Sequence, residues 1–489
     1  MKTFQNGLQS IMNLNEHAEK WRSNLLKVAA VVVFALFLGW ATSKIGIATP
    51  VLLIALAVLL PLSVYIGYRP VAGLRLFIVY SFFITAFGRY IADLPFVYGV
   101  EFILLVSWIG VLFHANRYKW SLLNRDIVWM GIIWFGITVF ELGNPEAGSF
   151  LGWISDARYS FLWILCVPLG FLLLRSKKAL NYFLITILIC SSLVALYGII
   201  QLKIGLSSAD AAFLAAGGSK THIINGQLRV FSLYSDAGQF GASMAQMAVI
   251  SLTLALGPFS RGKKFLLFIA ALLFTYGMLI SGTRGALFVF LVGLLMALII
   301  YKNLKVFLIV LFILAGSIAF LKYTTILQSN PEIRRMRTAL NPNDPSFKVR
   351  LQNQQTIRHY LKDKPFGAGI GSIGYAGYTY NKGTYISTIP PDSYWVKVWV
   401  MYGIAGFAIW FGFLFYIIGK SSAIVWYTTD SKLRFKLGAL AAGATGIFVS
   451  SYGNEVMNNM PSAMILYISW VLIFIHSSSN RLNSQKVSQ

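Results

Sequence analysis

The residues of this chain best equipped for chemistry are a few arginines, two carboxylates, a histidine and a tyrosine. Arg284 stands in Ser281-Gly282-Thr283-Arg284-Gly285-Ala286, between two apolar runs that are each long enough to cross a bilayer. A permanent cation at membrane depth is costly, so such residues are rare and usually functional. Arg229 opens Arg229-Val230-Phe231-Ser232-Leu233-Tyr234-Ser235-Asp236, with His222 just before it. Arg158 follows Asp156 at the start of another run. Asp392 and Tyr394 lie in Pro390-Pro391-Asp392-Ser393-Tyr394-Trp395, and Glu455 lies among Asn454, Asn458 and Asn459. Guanidinium groups offer forked, permanently charged donors that suit phosphate or pyrophosphate. A carboxylate beside them could act as general base on a hydroxyl. Together they would support displacement of a lipid pyrophosphate by a sugar hydroxyl, with the arginines stabilising the departing charge. Arg284 and Asp392 are the catalytic candidates and Glu455 is the reserve base. Arg229, Arg158, His222 and Tyr394 are candidate substrate contacts.

Each residue could also play a plainer part. Arg229 and Arg158 could snorkel to lipid phosphates. Asp392 follows two prolines at a helix start, where it could serve as N-cap or first-turn acid. His222 could be an ordinary loop histidine. Arg284 has the least room to be incidental, because its turn is so short.

The elements that must position these groups are membrane helices. The chain has 489 residues, 57% hydrophobic and only 12% charged, with a mean hydropathy of +0.69. A soluble domain carries about twice that charged fraction. Apolar runs recur with approximate limits 25–42, 47–66, 73–92, 97–114, 127–143, 159–175, 182–202, 236–257, 264–282, 285–301, 304–321, 392–419, 436–452 and 462–476. Each fits a helix spanning the ~30 Å hydrocarbon core. The fold class is therefore an all-α polytopic membrane protein of about 14 transmembrane helices, with a long extracytoplasmic loop before the third-last helix. The first two runs could instead form a tight hairpin. A transmembrane barrel would show short alternating segments.

Charge orients the spans. Loops after even-numbered spans hold Arg69, Arg117, Lys119, Arg175, Lys177, Arg261, Lys263, Lys302, Lys432 and Arg434, whereas most other short loops are poor in Lys and Arg. The positive-inside rule then puts both termini in the cytoplasm. The expected organisation is a cytoplasmic tail at 1–24, eleven spans over 25–321, an extracytoplasmic loop at 322–391, three spans over 392–476 and a cytoplasmic tail at 477–489. Most of the net charge of +25 serves this topology, so no nucleic acid partner is implied. The loop 322–391 is the exception. It carries Lys322, Arg334, Arg335, Arg337, Lys348, Arg350, Arg358, Lys362, Lys364 and Lys382 and would attract an anionic ligand or lipid headgroups. Cys166 and Cys190 fall inside apolar runs and read as core residues. The run Gly367-Ala368-Gly369-Ile370-Gly371-Ser372-Ile373-Gly374 lacks the strand and the Gly-Lys-Ser/Thr of a nucleotide site, and reads as a flexible turn allowing close backbone approach. Spans seven to eleven have almost no buried acids or histidines, which weighs against an ion-coupled transporter.

Residues 225–415 resemble the bacterial O-antigen ligase and polymerase superfamily. The resemblance is carried by Arg229 ahead of a span, Ser281-Gly282-Thr283-Arg284-Gly285 in an outward turn, the long loop, Lys364-Pro365-Phe366-Gly367-Ala368-Gly369-Ile370-Gly371 near its end, and a following span containing Gly403. It implies a transferase that takes glycans from undecaprenyl pyrophosphate at the outer face of the bacterial cytoplasmic membrane, with no nucleotide sugar and no catalytic metal or other cofactor. It also implies that Arg229 and Arg284 contact the pyrophosphate. Ligases of the family carry a His-Asn pair, nine residues and a glycine. Here Asp392-Ser393, nine residues and Gly403 fill that frame, which looks more like the polymerase and exopolysaccharide branches. The expected function is a polysaccharide polymerase, with lipid-linked oligosaccharide and membrane lipids as partners and a chain-length regulator as a further one. Tyr375, Tyr378, Tyr380 and Trp395 could stack on sugar faces. A ligase is the alternative, and a transporter or flippase the more distant one.

Overall fold

Each of the fourteen apolar runs becomes a helix in the computed structural model, since an apolar segment in lipid must satisfy its backbone polar groups internally. The structure describes residues 48–91, 96–224, 226–301, 304–329, 331–338 and 345–477, with parts of 21–44. The expected tails at 1–24 and 477–489 lie almost wholly outside these. Residues Met1–Tyr68 form one unit, with helices α1 (Lys27–Lys44) and α2 (Ala48–Tyr68).

The second unit, Arg69–Gln489, holds everything else. It begins with α3 (Pro70–Tyr90), α4 (Gly99–Phe113), α5 (Asp126–Phe140), α6 (Phe150–Leu173) and α7 (Lys177–Lys203). Two short helices, α8 (Ser208–Phe213) and α9 (Ser219–His222), lead to a hairpin of β1 (Ile223–Ile224) and β2 (Gln227–Leu228). Then come α10 (Ala237–Ala255), α11 (Arg261–Ile280), α12 (Arg284–Ile300) and α13 (Leu304–Tyr323). The segment expected as a long loop is itself folded, with α14 (Pro331–Thr338), α15 (Pro345–Tyr360) and α16 (Gly374–Tyr380). The chain ends with α17 (Tyr394–Trp426), α18 (Ser431–Ser450) and α19 (Ser462–Ile475). Among the described residues, nine helices are long and apolar enough to cross a membrane, and shorter apolar helices add to them.

Helix α10 is the hub. It packs against α7, α11, α12 and α18, and 16 of its 19 residues are buried. Lipid tails give helices no hydrophobic reason to associate, so close backbone approach through small residues takes over that role. A methyl at Gly446 of α18 would strike Val289 of α12, and one at Gly293 of α12 would lie 2.9 Å from Val249 of α10.

One boundary differs from the sequence expectation in a way that matters. Helix α6 starts at Phe150, capped by the Ser149 hydroxyl, nine residues before the expected 159. Asp156 and Arg158 look like the end of an apolar run, but both are ion-paired inside the bundle and do not interrupt the helix.

The connections 141–149, 229–236, 281–285, 364–374, 389–393 and 451–461 meet one another at one end of this unit. Lys177 and Asp430 pair at 3.5 Å between the connections before α7 and α18. The segment 322–391 is anchored over the first end. Met336 of α14 is buried with Leu287 and Leu321, and Arg337 donates to the Ile326 carbonyl at 2.7 Å. Gly403, with φ +65 inside α17, lets the Pro365–Gly367 backbone cross the helix directly, where any side chain would collide with the Pro365 carbonyl.

Candidate functional site

The turn between α11 and α12 gathers three arginines. Gly282 adopts φ +57, and a methyl there would lie 3.3 Å from Arg335 Cδ and 3.7 Å from Arg229 Cγ. Arg284 is the first residue of α12 and donates weakly to Thr338 Oγ1 at 3.4 Å, at the end of the helix that carries Arg335. Arg229 is fixed by donation from Nη2 to Thr283 Oγ1 at 2.9 Å and from Nη1 to the Thr221 carbonyl at 3.0 Å. Burial, then the neighbouring Arg335 and Arg284, pull Arg229 down to about 10, against the opposing pull of Asp236. Like charges held together in this way cost free energy unless an anion joins them.

Unused donors point the same way. Arg229 Nε and Asn454 Nδ2 are buried and have no hydrogen-bond acceptor. Asn454 sits between the turn glycines, so that a methyl on Gly285 would collide with its amide and one on Gly238 would lie 3.8 Å from it. Buried donors are almost always satisfied. Asp236 caps α10 through the Gln239 amide at 2.9 Å and bears electrostatically on Arg229 and on Glu455, which links the cationic pocket to an acidic one.

The acidic pocket centres on Lys397, near the start of α17 and 3% exposed. Its ammonium lies 3.0 Å from Asp156 Oδ1 and 3.3 Å from Glu455 Oε2. Two carboxylates share one cation. Asp156 Oδ2 is buried and unpartnered, and burial pushes the Glu455 carboxyl up despite Lys397. Gly374, at the end of the glycine-rich run, closes this pocket, since a methyl there would lie 3.5 Å from Lys397 Nζ and 3.7 Å from Glu455 Oε1.

Asp392 lies just ahead of α17, beside Arg350. It is exposed and has φ +49. Ser393, not Asp392, caps α17 by accepting from the Val396 amide at 3.3 Å, so Asp392 is not there as a cap. Surrounding protein raises the Asp392 carboxyl more than the nearby Arg350 lowers it.

The structure thus brings Arg229, Arg284 and Glu455 into charge clusters linked through Asp236, with Asp392 just ahead of α17. It does not do so for three other candidates. Arg158 pairs with Glu101 at 2.7 Å between α4 and α6 and also meets the Val97 carbonyl and the Tyr98 ring. His222 is 3% exposed and wedged between Phe213 and Phe231. Burial lowers its basicity, and its ring bonds back to Gly218 within that aromatic cluster. Tyr394 is 8% exposed and packs edge-on against Trp410. Trp395 is also committed, to Phe448, Phe411 and Tyr452, whereas Tyr375 and Tyr378 are open to solvent.

Sequence reasoning missed Lys397 and Asp156 as partners and did not single out Arg335. A lysine near the start of a 33-residue apolar helix was a signal in itself. Arg335 had none, being one cation among many.

No curated protein sequence matches the chain. Residues 268–411 match the family model described as O-antigen ligase, a stretch that begins within α11, contains Arg284, Arg335, Arg350, Asp392 and Lys397, and ends within α17. Arg229, Asp156 and Glu455 lie outside it, but the fold delivers them to the same end of the bundle. Over that matched stretch the chain is similar to the O-antigen ligase family, which supports a place in the O-antigen ligase and polymerase superfamily.

Proposed function

We propose that the protein is a polysaccharide polymerase that moves a growing glycan from undecaprenyl pyrophosphate to a hydroxyl of another lipid-linked repeat unit, at the outer face of a bacterial cytoplasmic membrane. The observation that carries this reading is the convergence of Arg229, Arg284 and Arg335 around Gly282, with an unsatisfied buried donor on Arg229. The acceptor oxygen bonds to the anomeric carbon as the bond from that carbon to the pyrophosphate oxygen breaks. The acceptor proton passes to the Asp392 carboxylate, and the arginines take up the charge developing on the pyrophosphate. Sidedness rests on the positive-inside pattern, which puts this end of the bundle outside and both termini inside. A chain-length regulator would act as a partner.

A ligase that hands a finished glycan to a lipid or protein acceptor is the second reading, favoured by the description of the matching family. Deletion separates the two, since a polymerase mutant still displays single repeat units on its acceptor and a ligase mutant displays none. The direct test is purified protein with a lipid pyrophosphate-linked oligosaccharide and no nucleotide. Chains should lengthen with wild type and fail to lengthen with Arg284→Ala. Equal lengthening by Arg284→Ala defeats the assignment.

A further inference from the structure

A cleft of about 400 Å³ opens between α15 and the turn Tyr385–Thr388, lined by Gln355, Thr356, His359, Tyr360 and Tyr385. Its volume is in the range of small-ligand sites. The lining is unusual for its surroundings. The segment around it holds Lys348, Arg350, Arg358, Lys362, Lys364 and Lys382, yet among the described residues no lysine, arginine or carboxylate lines the cleft. Lys364, which sits over one of the lining rings, is already compensated: its Nζ lies 2.5 Å from Glu146 and 4.1 Å from the centre of the Tyr360 ring. A phosphate would need charged forked donors here. What the cleft offers instead is two tyrosine rings 6.1 Å apart and inclined at 38°, with an amide, a hydroxyl and an imidazole beside them. Ring faces suit the C–H faces of a sugar, and neutral donors and acceptors suit its hydroxyls. Tyr385 is 60% exposed, so its position is not dictated by packing.

Helix α15 connects this cleft to the reaction site. Arg350 bears on Asp392 and would lie 3.8 Å from a methyl at Gly453. Gln354 accepts from the Tyr452 hydroxyl at 3.2 Å, and Asn353 donates to the Pro390 carbonyl at 3.4 Å. From Arg350 to the cleft residues of α15 is about five to ten positions, or about 8–15 Å along the helix. That is the reach of a short oligosaccharide extending from beside Asp392.

We propose that this cleft is a saccharide subsite, which holds neutral sugars of the lipid-linked glycan at a fixed distance from the bond being exchanged. What the sugar is attached to rests on the transferase reading above; the cleft rests on its own lining. The test uses the full chain in lipid nanodiscs. Two probes are titrated: the repeat-unit oligosaccharide released from the producing cell's own polysaccharide, read by saturation-transfer NMR, and inorganic pyrophosphate, read by broadening of its phosphorus resonance. Tyr385→Ala and Gln355→Ala should each weaken oligosaccharide binding about tenfold. Tyr385→Phe, which keeps the ring, should stay within about threefold of wild type. Pyrophosphate binding should be unchanged in all three. The proposal is overturned if the oligosaccharide does not bind, or binds Tyr385→Ala and Gln355→Ala as tightly as wild type. Pyrophosphate binding that survives Arg229→Ala would instead sink the phosphate-site reading and leave the cleft assignment standing.

Discussion

Asp392 occupies a backbone conformation that few side chains adopt, with φ +49, and aspartate is among the residues that tolerate it best. It stands exposed just ahead of the helix, while Ser393 serves as the cap. A general base works as its anion, and protein around Asp392 holds the carboxyl above the ordinary 3.8. The transfer rate should therefore fall as pH drops through a value above 3.8. Arg350→Ala removes the group that opposes this shift, so it should move that limb to still higher pH. Asp392→Asn should lower the rate about 10²–10⁴-fold and abolish the limb. A limb that stays in place in Arg350→Ala would remove Asp392 from the role. At this scale legibility follows the strength of the local anomaly. Arg284 stood out in the sequence because a cation in a tight turn between apolar runs is a strong local anomaly. Arg335 was not, because only the return of α14 onto α12 distinguishes it from its neighbours. The burial of Tyr394 and His222 was not legible in the sequence: a polar tip advertises function, while a ring body is as readily buried.

Helices α6 and α17 and the α18–α19 connection are tied by one lysine. Removing one partner from a buried ion pair leaves an uncompensated charge, at a cost of about 3–5 kcal/mol. Lys397→Met strands Asp156 and Glu455 together, so it should lose stability of that order in a denaturation series. Adding Asp156→Asn should recover part of the loss, a non-additivity expected of groups in contact. Additive effects would show that the three groups do not act as a unit. The element boundaries show why this was hard to see in the sequence. An ionised residue in an apolar run looks like a stop signal, and the expected start of α6 fell after Asp156 and Arg158. Each charge has its partner on another element, so helix continuity there is settled by tertiary packing. The apolar runs themselves were legible, since each is a local pattern.

At the scale of the whole molecule the open claim is sidedness. Lys348 on α15 and Lys432 at the start of α18 are both exposed. The native thiols Cys166 and Cys190 are free but buried, so they should give little background to an impermeant maleimide. Lys348→Cys should label in intact cells, and Lys432→Cys only after permeabilisation. The reverse pattern would invert the topology and with it the proposed outer-face reaction. The hub of the fold carries a consequence for how the protein is made. Helix α10 contains Gln239, Ser243, Gln246 and Ser251, and it is not among the helices apolar enough by themselves to cross a bilayer. Once folded, other helices shelter these groups from lipid. During synthesis no such shelter exists until its neighbours arrive. Of the helices that pack on α10, α7 precedes it and the more apolar α11 follows it directly. A helix whose polar groups are sheltered only by its neighbours should enter the bilayer more readily in their company than alone, so deleting α11 should reduce insertion of α10, as read by glycosylation mapping.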